Sequence, residues 1–115
     1  MKIVNRSALT IIPRQPYVDW ANTLDDGPKL DITDPHYEYH VYLVDEIADD
    51  DDLNWVLHAY YPQIFYEVLM GWHTDPRDWP DIFDFETFQQ WFEVRVSSGV
   101  FDLCRGKIRA KKWED

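Results

Sequence analysis

The feature that most constrains this chain is a run of apolar residues at helical spacing. Leu53, Val56, Leu57, Tyr60, Tyr61, Ile64, Phe65, Val68, Leu69 and Trp72 recur at steps of three and four. That spacing predicts one long amphipathic helix over residues 53–72, and such a helix must bury its stripe against a partner layer. Four consecutive aspartates, Asp49 to Asp52, stand directly before it, where carboxylates meet the positive helix end and its orphan N–H groups. Pro62 removes one backbone donor, so a kink or break is expected there. Gly71 is a natural stop. The longest near-apolar stretch, residues 59–72, carries Pro62, Gln63 and Glu67, and is too short and too polar to span a bilayer.

The partner layer is legible in shorter runs. Residues 7–12 are rich in β-branched residues and end at Pro13, which reads as a strand. Pro16 suits a first helical position. Tyr17, Trp20, Ala21 and Leu24 then share a face, and a turn is expected at residues 25–28. Residues 25–36 read as a long exposed loop. Residues 36–44 alternate with period two, which predicts a strand with Tyr37, Tyr39, Val41 and Leu43 on its core face. Residues 72–84 read as a loop with Trp79 pinned inward. Asp84 is placed to cap a second helix whose apolar face is Phe85, Phe88, Trp91 and Phe92. Residues 94–97 and 100–103 read either as two strands round a tight turn or as one strand with a glycine bulge. The order β-α-β-α-α-β-β predicts an α+β domain over residues 1–104. It is a small mixed or antiparallel sheet of three to four strands with helices on one face. Residues 105–115 form a basic C-terminal tail.

Composition narrows the function. The chain has 115 residues and a formal charge of -11, yet 17% of it is aromatic, far too much for a disordered acidic tail. Residues 1–104 hold six basic and twenty acidic side chains, and residues 105–115 hold five basic and two acidic ones. An acidic surface repels phosphate backbones and anionic membranes, which argues against direct nucleic-acid or membrane binding and favours basic protein partners. Arg105, Lys107, Arg109 and Lys111 alternate with other residues, so the tail is expected either to pair as an edge strand over the acidic body or to hang as a loose arm. The single cysteine, Cys104, excludes an internal disulfide and reads as a buried thiol. With no signal-peptide pattern at the start, a cytoplasmic address is expected.

Several stretches together resemble a family of short, acidic, uncharacterised bacterial proteins. They are Asn5-Arg6-Ser7-Ala8-Leu9 with Pro13, Gln15-Pro16-Tyr17-Val18-Asp19-Trp20, Val41-Tyr42-Leu43-Val44, Gly71-Trp72 ahead of Trp79-Pro80, and Trp91-Phe92-Glu93 leading to Val100-Phe101-Asp102-Leu103. The resemblance covers most of residues 5–103. It implies a shared fold and brings no activity, cofactor or catalytic residue with it.

Candidate chemistry is sparse. There is no nucleophile elbow, phosphate loop or Cys-x-x-Cys, and no cofactor motif. His36 and His40 lie on a strand, where a four-residue step spans about 13 Å, too far to share an ion. His40 and Glu38 lie closer, on one exposed face, but need help from elsewhere to form a site. In Trp72-His73-Thr74-Asp75-Pro76, Asp75 is a candidate to orient the His73 imidazole, or else a residue that only organises the proline turn. His58 is expected to face solvent. The aspartate run lacks the spacing of a calcium loop, so capping together with a solvated charge run is its favoured role. Asp81 and Asp84 form a pair of the kind any acidic chain contains.

A non-catalytic protein-interaction module is therefore the leading expectation, with Tyr42, Trp55, Trp72, Trp79, His73 and Asp75 as its candidate surface. One alternative is an acidic decoy that imitates a DNA duplex, which needs carboxylates in two rows. Another is a small enzyme or metal protein using His73 and Asp75, or His40 and Glu38. A homodimer is a further expectation, from the helix face that reaches Trp72 and an exposed strand edge.

Overall fold

The computed structural model describes residues 1–24 and 29–113. The turn expected at residues 25–28 lies outside the described residues. Five strands and three α-helices follow in the order β1 (Lys2–Ile3), β2 (Ser7–Pro13), α1 (Gln15–Thr23), β3 (His40–Val44), α2 (Asp50–Trp72), α3 (Phe85–Trp91), β4 (Phe92–Ser97) and β5 (Phe101–Asp102). A 3₁₀ turn (Pro76–Asp78) sits between α2 and α3. The class is α+β, as expected from the order of elements.

The strands form two antiparallel sheets. One has the order β3-β2-β4, and the other is the small ribbon β1-β5. β2 is central and almost wholly buried. It places Leu9 opposite Tyr42 on β3 and Val96 on β4, and Ile11 opposite His40 and Val94. The two C-terminal strands do not form the expected hairpin or a single bulged strand: β4 pairs with β2, and β5 with β1. The residues of β4 and β5 are good strand formers, but their partners are about 80 to 100 positions away, beyond any local turn signal.

The helices begin where the side chains allow. Pro16 sits in the first turn of α1. Asp49 accepts the Asp52 N–H at 2.9 Å, and Asp52 in turn accepts the Ala48 N–H at 3.0 Å, a reciprocal cap that uses two of the four aspartates. Asp84 caps α3 by accepting the Thr87 N–H at 2.8 Å. Pro62 does not break α2, which runs unbroken through it and past Gly71 to Trp72. Pro62 is exposed, and flanking residues on both sides of it are held by packing, so the missing bond at Pro62 is tolerated.

One core joins these elements. Phe65 is fully buried, and its ring meets those of Phe83, Phe88, Trp91 and Phe92 at 4.5–5.9 Å. Tyr17 on α1 joins the group through Trp91 and Phe92. α3 passes into β4 with no intervening residue, and the Arg14 N–H donates to the Trp91 carbonyl at 2.8 Å, tying that junction to the end of β2. Ser7 is buried and its hydroxyl accepts the Ile47 N–H at 2.9 Å, which fixes the loop after β3.

The inward face of β3 is the reverse of the one expected. His40, Tyr42 and Val44 point to the helices, whereas Val41 and Leu43 are 59% and 52% exposed and Tyr39 is exposed beside them. Both faces of this strand carry apolar side chains, so alternation alone does not rank them. The register with Leu9 and Ile11, which α2 and α3 cover, decides. Cys104 is exposed, not buried, because the chain leaves the body after β5, where Leu103 and Ile108 are exposed too.

The face assignment has a direct consequence for stability. Val44→Ala should destabilise by about 2 kcal/mol through lost burial, while Leu43→Ser should change the unfolding free energy by less than about 0.5 kcal/mol. Urea unfolding of the two variants reads the difference, and the opposite ranking would put Leu43 inside.

Candidate functional site

A groove of about 1340 Å³ lies between β3 and α2. Consecutive residues Tyr42, Leu43, Val44, Asp45 and Glu46 line one wall. Successive strand residues point to opposite faces, so a wall made of all of them is the edge of the strand. β3 pairs with β2 on its other side only, so among the described residues this edge is unpaired. The facing wall is α2, through Tyr60, Gln63, Ile64, Tyr66 and Glu67. Tyr60, Gln63, Ile64 and Glu67 share one side of the helix at 3,4 spacing; Ile64 is buried in the core, Tyr60 packs against the core, and Gln63 is exposed.

Glu67 organises this groove. Its Oε1 accepts a hydrogen bond from the Tyr42 hydroxyl and lies 2.8 Å from His40 Nδ1, which donates to it. Gly71, one turn beyond, gives the His40 ring its place: a Cβ there would lie 3.3 Å from His40 Cε1 and 3.6 Å from Glu67 Oε2. Burial, and then the bond to Glu67, push the Tyr42 phenol well above its ordinary range, so it remains a donor. Tyr17 is raised in the same direction, mainly by burial, with smaller contributions from Tyr37 and Glu67. Farther along, the Tyr60 hydroxyl donates to Asp45 Oδ1 at 2.7 Å, and Arg6 and Asn5 close that end. The groove thus sets three carboxylates, on Asp45, Glu46 and Glu67, against one guanidinium, on Arg6, among tyrosine rings.

The other candidate residues lie apart. Trp55 is 60% exposed near the start of α2, and Trp72 is exposed at its end. Seventeen helical residues separate them, about 25 Å, so they do not share a patch. Trp79 is half-buried: its Nε1 donates to the His73 carbonyl at 2.8 Å and its ring meets Tyr66 and Phe83. Asp75 does not orient His73. It accepts the Arg77 N–H at 3.1 Å, caps the 3₁₀ turn and pairs with the Arg77 guanidinium at 2.7 Å. The partner of His73 is Asp78, whose Oδ2 lies 2.8 Å from Nε2. The 3₁₀ turn carries Asp78 back to His73 and holds Asp75 on its own backbone. His40 likewise pairs with Glu67 and not with Glu38. His58 is exposed as expected and stacks on Phe85 at 3.9 Å.

Among the described residues no group of three or more His, Cys, Asp or Glu side chains is arranged to hold a metal ion, and no helix is long and apolar enough to cross a membrane. Glu67, Tyr60, Tyr66, Asp45, Glu46 and Arg6 are among the groove residues that were not singled out from the sequence as candidate site residues. One signal did point there. After Asp52, Glu67 is the only Asp, Glu, Lys or Arg in α2. A lone carboxylate in so long an uncharged stretch needs a partner if it is half-buried. Comparison with protein-family models, with curated proteins and with solved structures gave no match to this chain.

Two predictions follow from these contacts. Tyr42→Phe removes a donor from Glu67 and should destabilise by about 1 kcal/mol in urea unfolding, with the secondary structure unchanged by circular dichroism. The Arg77 guanidinium, through its hydrogen bonds, holds the Asp75 carboxyl down to about 2. A depressed carboxyl stabilises the fold above its ordinary range and loses that contribution as pH falls toward about 2. Carboxyl titration by NMR should place the Asp75 midpoint near 2, and Arg77→Gln should return it toward 3.8.

Proposed function

We propose that the protein is a non-catalytic interaction module whose binding face is the groove between β3 and α2, and that its ligand is an extended basic segment of another protein. The observation that carries this reading is the unpaired edge of β3 beside carboxylates and tyrosine rings. An extended peptide laid along a free strand edge gains main-chain hydrogen bonds, and the walls then select its alternate side chains. Here those walls favour Lys or Arg, whose apolar stems lie on tyrosine rings and whose cations meet Glu67, Glu46 and Asp45.

The distribution of acids supports a groove reading over a duplex decoy. Asp31, Asp49, Asp75, Asp84 and Asp102 each accept backbone N–H groups at turns and caps. Their positions follow the ends of elements, which weighs against two regular rows of charge. A cytoplasmic setting, where basic protein segments are abundant, is part of the same proposal.

The test is binding of a nine-residue peptide of alternating lysine and valine, followed by calorimetry. Binding should weaken several-fold between 50 and 500 mM salt, because exposed ion pairs are screened over a few ångströms at high salt. Glu46→Gln combined with Glu67→Gln should weaken it by about tenfold, on the order of 1.4 kcal/mol. Val41→Thr on the opposite sheet face should leave it unchanged. Equal affinity for all three chains would remove the groove from the account.

A further inference from the structure

Residues 105–113 carry five cations and end in an aromatic ring, and they belong to no helix or strand. None of the five makes an ion pair among the described residues, and every residue of the segment is exposed. Among the described residues the segment meets the body through Lys2 and through Tyr66. The Lys2 ammonium donates to the Gly106 carbonyl at a long 3.4 Å. The Trp113 ring meets Tyr66 edge-on at 6.3 Å and forms part of the groove wall. Trp113 remains 56% exposed there, so it rests on the groove without being locked into it. The tail is thus a basic segment with alternating cations, tethered to an acidic groove, with its terminal aromatic already at the mouth.

We propose that this tail is the groove's resident occupant and the pattern for its partner. Trp113 covers the Tyr66 side in the resting chain. A partner segment of the same chemistry, alternating Lys or Arg closed by an aromatic residue, displaces it. This inference rests on the groove reading above. A tethered segment reaches effective concentrations in the millimolar range, enough to compete with a free ligand at no cost in long-range encounter. Specificity follows from that competition, since only a segment that displaces the Trp113 ring from Tyr66 enters.

The test uses the full-length chain and its Trp113→Ala variant. Trp113 is exposed and outside every element, so the variant keeps the fold. Each is titrated with a synthetic peptide of residues 105–113, and binding is read by anisotropy of a dye on the peptide. The variant should bind about tenfold more tightly than the natural chain, as the tethered competitor is lost. Equal binding by both chains would overturn tail docking and leave the groove reading intact. Binding by neither would overturn both. Sedimentation of the natural chain should show a monomer, and a dimer that Trp113→Ala dissolves would overturn docking within one chain by putting the tail on a second copy.

Discussion

The burial of Phe65 sets the rest of the molecule in place. Its ring is the meeting point of α2, α3 and the start of β4, with neighbours on Phe83, Phe88, Trp91 and Phe92. A helix that buries one residue completely has its rotation fixed, because its other side chains follow at about 100° per residue. With Phe65 inward, Glu67 lands beside the edge of β3 and Tyr60 and Gln63 line the same wall. The inward turn of His40 and Tyr42 follows from the same arrangement, since the face of β3 that meets α2 is the one paired with Leu9 and Ile11. The aromatic surplus is thereby explained mainly as packing: ring contacts run without interruption from Trp113 through Tyr66, Trp79, Phe83, Phe65 and Phe92 to Tyr17.

Charge is divided between two jobs. Most of the aspartates with described contacts satisfy backbone donors at turns and helix starts, where short side chains reach their own neighbouring N–H groups. Glu67 serves a different purpose. It is half-buried, accepts from a tyrosine and a histidine, and leaves its second oxygen turned toward Gly71. A carboxylate held in this way has its orientation fixed before any ligand arrives, which reduces the ordering that binding requires. The cations of the tail stand apart from both sets, exposed and unpaired among the described residues.

What could be read from the residues was local. The 3,4 spacing of α2, capping by the Asp49–Asp52 run and by Asp84, a helix opening around Pro16 and the inward Trp79 all depend on neighbours within a few positions, and all are present, with α1 starting one residue earlier at Gln15. The errors have a common cause in contacts that span the chain. Val41 and Leu43 are as apolar as Tyr42 and Val44, so only the register with β2 chooses between them. β4 and β5 look like a hairpin until β2 and β1, from the other end of the chain, claim them. Cys104 follows an apolar run, but that run leaves the body. Asp75 is nearer to His73 in sequence than Asp78, yet the 3₁₀ turn reverses their roles. Glu67 was visible as an interruption of an apolar run, and its partners His40 and Tyr42 lie 27 and 25 positions away.

The central claim is that the wall shared by β3 and α2 is the face that meets a partner. It is tested most directly by backbone amide NMR of the full chain with increasing amounts of a lysine-rich extended peptide. The account predicts shifts concentrated at residues 40–46 and 60–67, with the Trp113 indole signal moving in step as the tail is released. Shifts confined to Tyr39, Val41 and Arg95 on the opposite sheet face, or to the Asp49–Asp52 cap alone, would contradict it.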